Sequence, residues 1–192
     1  PNSDKEPLPA GYGIVELRST PACRCRQVAE RCANTRAPPL DLGPAVPIGQ
    51  LVRPPPPRPA VGHITWAESG PVQIDDQGGD YIDAVAHTNN TGELTAMHWA
   101  LDRALTRPRG AGAECIHSDS LYAIHMTTGK WMPRKAGKRN APLIARLRRL
   151  WREVQRKRGG EVQLRHVRSH ILVPGNEIAD WLARPPDQSR LR

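Results

Sequence analysis

The stretch "NAPLIARLRRLWREVQRKRGG" (140–160) constrains the fold of this chain more than any other. Asn140 stands where a cap belongs, Pro142 falls in the first turn, and Gly159–Gly160 supply the stop. Between them Leu143, Leu147, Leu150, Trp151 and Val154 recur at helical spacing, which predicts an amphipathic helix. Immediately after it, "EVQLRHV" (161–167) alternates as a strand does. A long helix delivered straight into a strand points to a fold that layers helices on a sheet.

The same alternation of period runs through the rest of the chain. "GYGIVEL" (11–17), "GHITWAE" (62–68), "PVQID" (71–75) and "YIDAVA" (81–86) predict strands. Leu94, Met97, Leu101 and Leu105 predict a helix from Glu93 to Leu105, ended by "RPRG". "AECIHSD" (113–119) predicts a short strand with Asp119 at its end, "SLYAIHM" a helix after it, and Asn176 a cap for a last helix through "EIADWLA". The expected class is α/β, with a mixed central sheet flanked by helices.

Ten of the twenty prolines lie between Pro21 and Pro59, where neither a helix nor an inner strand can be sustained. Residues 18–60 therefore read as an irregular insertion rich in Pro, Cys and Arg, its "RPPPPRPA" run a polyproline II spacer or a docking motif. The expected organisation is a single domain over 1–17 and 61–185 with a tail at 186–192, and a protein partner for the insertion is one expectation. Cys23, Cys25 and Cys32 could offer thiolates to zinc, but they lack a C-x-x-C pair and a fourth ligand; a plain cysteine-bearing loop is the reading preferred. Four cysteines so placed do not make a disulfide scaffold, so reduced thiols in an intracellular, reducing compartment are expected. Neither a signal peptide nor a membrane-length apolar run is present, and a soluble protein without a membrane partner is expected.

The formal net charge is +9. From Lys130 to Arg168 there are 14 Lys and Arg against only Glu153 and Glu161, a nearly single-signed segment of the kind that meets a polyanion. Arg146, Arg149 and Arg156 lie off the apolar stripe of the 140–160 helix, so they are expected to be free to grip phosphates.

Glu93 follows Asn90 by three residues, the spacing of a helix-capping box, so on its own it closes a helix. Asp119 on its own caps the helix after its strand, and Asp180 is a surface acid. Taken together, "TNNTGEL" with Glu93, "SDSLYAI" with Asp119 and "HVRSHILVPGNEIADWLA" with His170, Asn176 and Asp180 resemble the type 1 ribonucleases H, in that family's order. The resemblance covers residues 71–183, and "AGYGIVEL" (10–17) is similar to the family's second strand.

That resemblance implies an endoribonuclease cutting the RNA strand of RNA/DNA hybrids with two divalent ions, Mg²⁺ or Mn²⁺. It makes Glu93, Asp119 and Asp180 metal ligands, and Thr88 or Asn90 then caps the helix. His170 would assist proton movement or product release, and Asn176 would hold the neighbouring loop. Asn89 and Asn90 would touch the hybrid across its minor groove, where 2′-hydroxyls are displayed. Trp131 and Lys135, with Lys130, Lys138 and Arg139, would form a basic face beside the site. The family's fourth carboxylate, an Asp on the first strand, has no counterpart here; Asp4 sits in a polar, proline-rich stretch and is a poor substitute, and the first strand is expected upstream of Pro1. The alternative reading is a catalytically inactive ribonuclease H-like module that binds nucleic acid or serves a ribonucleoprotein or retroelement protein.

Overall fold

The computed structural model describes residues 10–18, 63–133, 140–169 and 173–184. The 18–60 insertion, apart from its first residue, therefore lies outside the described residues, as do Asp4, Lys135, Lys138, Arg139 and His170.

Strands β1 (Gly11–Arg18) and β2 (His63–Pro71) form an antiparallel pair whose register shifts between Glu16 and Leu17. Helix α1 (Asn89–Thr106) follows, then β3 (Glu114–Ser118), α2 (Leu121–Thr128), α3 (Ala141–Arg158), β4 (Val162–His166) and α4 (Pro174–Ala183). β3 and β4 pair in parallel, Ile116 opposite Leu164. The molecule is thus α/β with both strand senses, as expected. Among the described residues the strands form two hydrogen-bonded pairs rather than one continuous sheet.

The helix periodicity is what the packing uses. Leu94, Met97 and Leu101 of α1 are buried against Leu143, Leu147 and Val154 of α3, while Leu150 and Trp151 are only partly covered. Two expected strands do not form. Val72 is buried and its N–H donates to Ala10 O at 2.8 Å, but the chain then turns at Asp75–Gly78 and runs on irregularly through Tyr81–Ala86. The Asp75 carboxylate accepts the Gln77 N–H at 3.0 Å, fixing that turn. "PVQID" and "YIDAVA" look like strands because Val72, Ile82 and Ala84 are core residues; burial of an apolar side chain does not by itself require ladder pairing.

Glycine is required where helices close on β1. A Cβ on Gly13 would collide with Ala179 O of α4, and one on Gly11 with Ala183 O of the same helix. On the other side Gly92 of α1 abuts Gly11 O, where a Cβ would sit 2.5 Å from it. The glycines of "GYG" and "NTGE" are therefore sites of backbone contact between elements, and they draw the N-terminal end of α1 onto the sheet.

A polar girdle that the periodicity does not reveal ties the layers together. Arg158, the last residue of α3, is fully buried; it pairs with Glu114 at 3.0 Å and Glu161 at 3.1 Å and donates to Ala104 O at 2.8 Å and Gly112 O at 3.0 Å. Arg107 joins Glu114 at 2.7 Å and also pairs with Glu16 of β1, which Arg103 reaches at 2.7 Å. Burial works against the charged Glu16 carboxylate, but hydrogen bonds from Arg103, Thr65 and Arg107 outweigh it and bring its pKa down to about 2.

His98 of α1 gives the fold a pH dependence. It is 5 % exposed, and burial, reinforced by the Arg146 guanidinium, holds its pKa down at about 4 against 6.5, with Asp102 and Asp83 pulling weakly upward. The unfolded chain takes a proton here below pH 6.5 that the folded chain refuses until about pH 4. Stability from this residue is therefore complete above pH 6.5 and lost as the pH falls through that window, by roughly 3 kcal/mol near its acid end. Denaturant unfolding at a series of pH values should show that slope, and His98→Gln should flatten it. An identical slope in both proteins would remove His98 from the account.

Candidate active site

Three elements meet at the C-terminal end of β3. Thr88, with extended backbone, caps α1 by accepting the Thr91 N–H at 3.1 Å. The Asn90–Glu93 capping box does not form, and Glu93 falls one turn into the helix with its carboxylate free to point elsewhere. It accepts a short hydrogen bond from the Ser120 hydroxyl. Ser120, not Asp119, caps α2, taking the Ala123 N–H at 3.0 Å. Asp119 stands between strand and helix, and its carboxylate accepts from Asn176 Nδ2 of α4 at 3.2 Å.

Glu93, bonded to Ser120, is thus close enough to Asp119 to feel its charge. Burial is the largest influence raising the Glu93 pKa; the Ser120 hydrogen bond opposes it, and the Asp119 charge adds to the rise. Two partly buried carboxylates whose charges act on each other are a pair that a cation relieves.

Asp180 does not join them. Its partly exposed carboxylate is held by Arg184, one helical turn on, at 2.7 Å. Among the described residues no group of three or more His, Cys, Asp and Glu is placed to hold a metal ion. The donor chemistry of Glu93 and Asp119 suits a hard divalent cation; the three-carboxylate centre implied by the sequence is not assembled.

The remaining predicted residues take these places. Asn89 and Asn90 are the first two residues of α1 and are exposed. Asn176 is inside the first turn of α4, whose cap position is Val173, so its side chain is spent on Asp119 rather than on a cap. Trp131 is 46 % exposed, its ring 4.7 Å from that of His125, and its carbonyl is held by Arg148 Nη2 at 2.6 Å. Arg146 is not the free cation the helix pattern suggests: it donates to His98 Nε2 at 3.2 Å and pairs with Asp83 at 3.4 Å.

Two contributors escape sequence reasoning. Ser120 is legible only as a serine before a helix, and nothing local says that its hydroxyl also serves Glu93. Asn140 precedes α3 but makes no side-chain cap there; its Oδ1 accepts from Thr91 Oγ1 at 3.1 Å, tying the start of α3 to the start of α1.

Helices that begin around one strand end, with carboxylates on two of them or beside them, define an α/β protein with a polar site at its strand terminus. The model of the RNase H family matches residues 62–186. The chain belongs to the RNase H family, and that membership supports a ribonuclease H-like nuclease function and nucleic-acid binding. Comparison with curated proteins and with solved structures returned no match.

Proposed function

We propose that this protein is an endoribonuclease that hydrolyses the RNA strand of RNA/DNA hybrids. The observation that carries the reading is the placement of Glu93, hydrogen-bonded to Ser120, within reach of the Asp119 charge at the end of β3. In-line hydrolysis of a phosphodiester needs an activated water and relief of charge on the phosphate and the departing oxygen. Two divalent ions, Mg²⁺ or Mn²⁺, supply both when bound. Glu93 and Asp119 would hold them, and Asp180 would complete the set by exchanging its Arg184 partner for metal.

The chain's own residues account for the rest. Asn176 holds the Asp119 carboxylate in orientation, and Ser120 does the same for Glu93. Asn89 and Asn90, exposed at the start of α1 one turn ahead of Glu93, would meet the 2′-hydroxyls of the hybrid. Trp131 with the basic segment that includes Lys135 would steady the phosphate backbone, and His170 would assist proton movement.

Assayed with Mg²⁺, the protein is expected to cut RNA paired to DNA and to spare duplex DNA of the same sequence, because the 2′-hydroxyl contacts cannot form on DNA. Equal cutting of both duplexes would overturn the hybrid assignment. A second reading, a nucleic-acid-binding module without catalysis, is favoured by one observation: Asp180 is paired with Arg184 rather than turned to the other carboxylates. Tight hybrid binding with no cleavage under either metal would select it.

A further inference from the structure

A groove of about 340 Å³ opens on the opposite flank of α1, between the Gly79–Ile82 segment and α3. It is lined by Tyr81, His98, Trp99, Asp102, Arg146 and Arg149. None of the residues at the carboxylate site borders it: Glu93 faces Ser120, whereas the groove uses the next turns of α1.

Its chemistry is mixed in an informative way. Tyr81 and Trp99 supply aromatic wall, and Trp99 stands edge to face with His98 at 5.0 Å and 88° rather than stacked on it. His98 accepts from Arg146 at Nε2, so the neutral ring carries its proton at Nδ1, a buried donor without a partner among the described residues. Asp102 sits exposed at the rim, an acceptor facing solvent.

From the mouth of the groove a rank of cations leads along α3. Arg149, Arg152 and Arg156 are exposed and share a depression with Glu153. At about 1.5 Å of rise per residue they are spaced roughly 4.5 and 6 Å along the helix axis. Among the described residues none of the three is in an ion pair.

We infer that this groove is a second nucleic-acid site, which takes one unpaired base of a single strand between Tyr81 and Trp99 while Arg149, Arg152 and Arg156 follow the adjoining phosphates. A cationic track beside an aromatic platform is an arrangement by which single strands are bound through stacking and phosphate contacts. The Asp102 carboxylate would accept from an exocyclic amino group, which favours adenine, cytosine and guanine over thymine or uracil. A duplex cannot use the groove, since its bases are already stacked and paired. An acidic protein could meet the arginines but has no use for an aromatic slot of this size. The inference stands independently of the nuclease reading: a chain that cuts nothing can still bind a strand here.

The test is anisotropy of a labelled single-stranded DNA 12-mer with the full chain in EDTA, where metal-dependent cleavage is silent. Trp99→Leu should weaken binding roughly tenfold, the loss expected of one stacked base. An oligonucleotide of abasic sites should bind the unaltered protein as weakly as the ordinary one binds that variant. The triple change Arg149→Gln, Arg152→Gln, Arg156→Gln alters only exposed positions and so keeps the fold. It should weaken binding at least tenfold and reduce the salt slope by roughly 0.7 for each phosphate that is no longer neutralised. Unchanged affinity in the triple variant overturns the inference, as does equal binding of ordinary and abasic strands. Displacement of the strand by a polyglutamate peptide of equal charge at equal concentration would also overturn it, by assigning the face to an acidic protein.

Discussion

Asp119→Asn is expected to lower the rate of hybrid cleavage by about two orders of magnitude or more while leaving hybrid affinity within a few-fold. The substitution keeps the shape of the side chain and an oxygen that can still accept from Asn176, so the link to α4 at 3.2 Å survives. What it removes is one negative charge beside Glu93. Charge held there counts in the transition state, when phosphate and leaving oxygen must be neutralised together. On the proposed reading, affinity would rest mainly on phosphate contacts spread over the basic surface. Single-turnover cleavage alongside equilibrium binding separates the two quantities. Unchanged turnover would reduce Asp119 to a tether for Asn176.

Arg158→Ala should cost roughly 3–5 kcal/mol of folding stability, the loss expected when one partner of a buried ion pair is removed. Arg158 has no exposed surface, pairs with both Glu114 and Glu161, and satisfies the carbonyls of Ala104 and Gly112. Truncation leaves two partly buried carboxylates and two carbonyls without that donor, at the point where α3, β3 and the end of α1 meet. Against a typical total of about 5–15 kcal/mol, the variant would be close to unfolding. Arg158→Met, which restores volume but not charge, should recover part of the packing and none of the pairing. Denaturant midpoints of the three proteins check the order; a loss below about 1 kcal/mol for the alanine variant would mean that water replaces the guanidinium.

Much of the architecture was legible because helix and strand periodicity is local. The stripe of Leu143, Leu147 and Val154 could be read from spacing and is buried as that spacing requires. The alternation of "EVQLRHV" is the strand β4, and "GYGIVEL" is β1. Where an apolar run was short and bounded by turn residues, as at Val72 and at Ile82–Ala84, the same signal misled. Anchoring a loop in the core selects the same side chains as completing a sheet.

The candidate site was legible in its residue types and their order, which is why "TNNTGEL", "SDSLYAI" and "GNEIAD" point to one family. Its contacts were not. Whether Glu93 closes a helix or reaches Ser120 depends on where α1 begins, and the Thr88 cap moves Glu93 out of the first turn. Likewise Asn140 and Asn176 read as caps, the commonest use of an asparagine ahead of a helix, yet both side chains are taken by distant partners, Thr91 and Asp119.

The sequence by itself determined the order of the four helices and of β1 to β4, the basic character of α3 and the membership of the RNase H family, all of which depend on residues near one another in the chain or on motif order. Only the tertiary structure decided that Ser120 joins Glu93, that Asp180 turns to Arg184, and that Arg158 is buried among carboxylates at the end of α3. A polar side chain in partial burial takes whichever partner packing brings within about 3 Å, and that distance is set by how helices and strands close on one another, down to the contact of α4 with two glycines of β1.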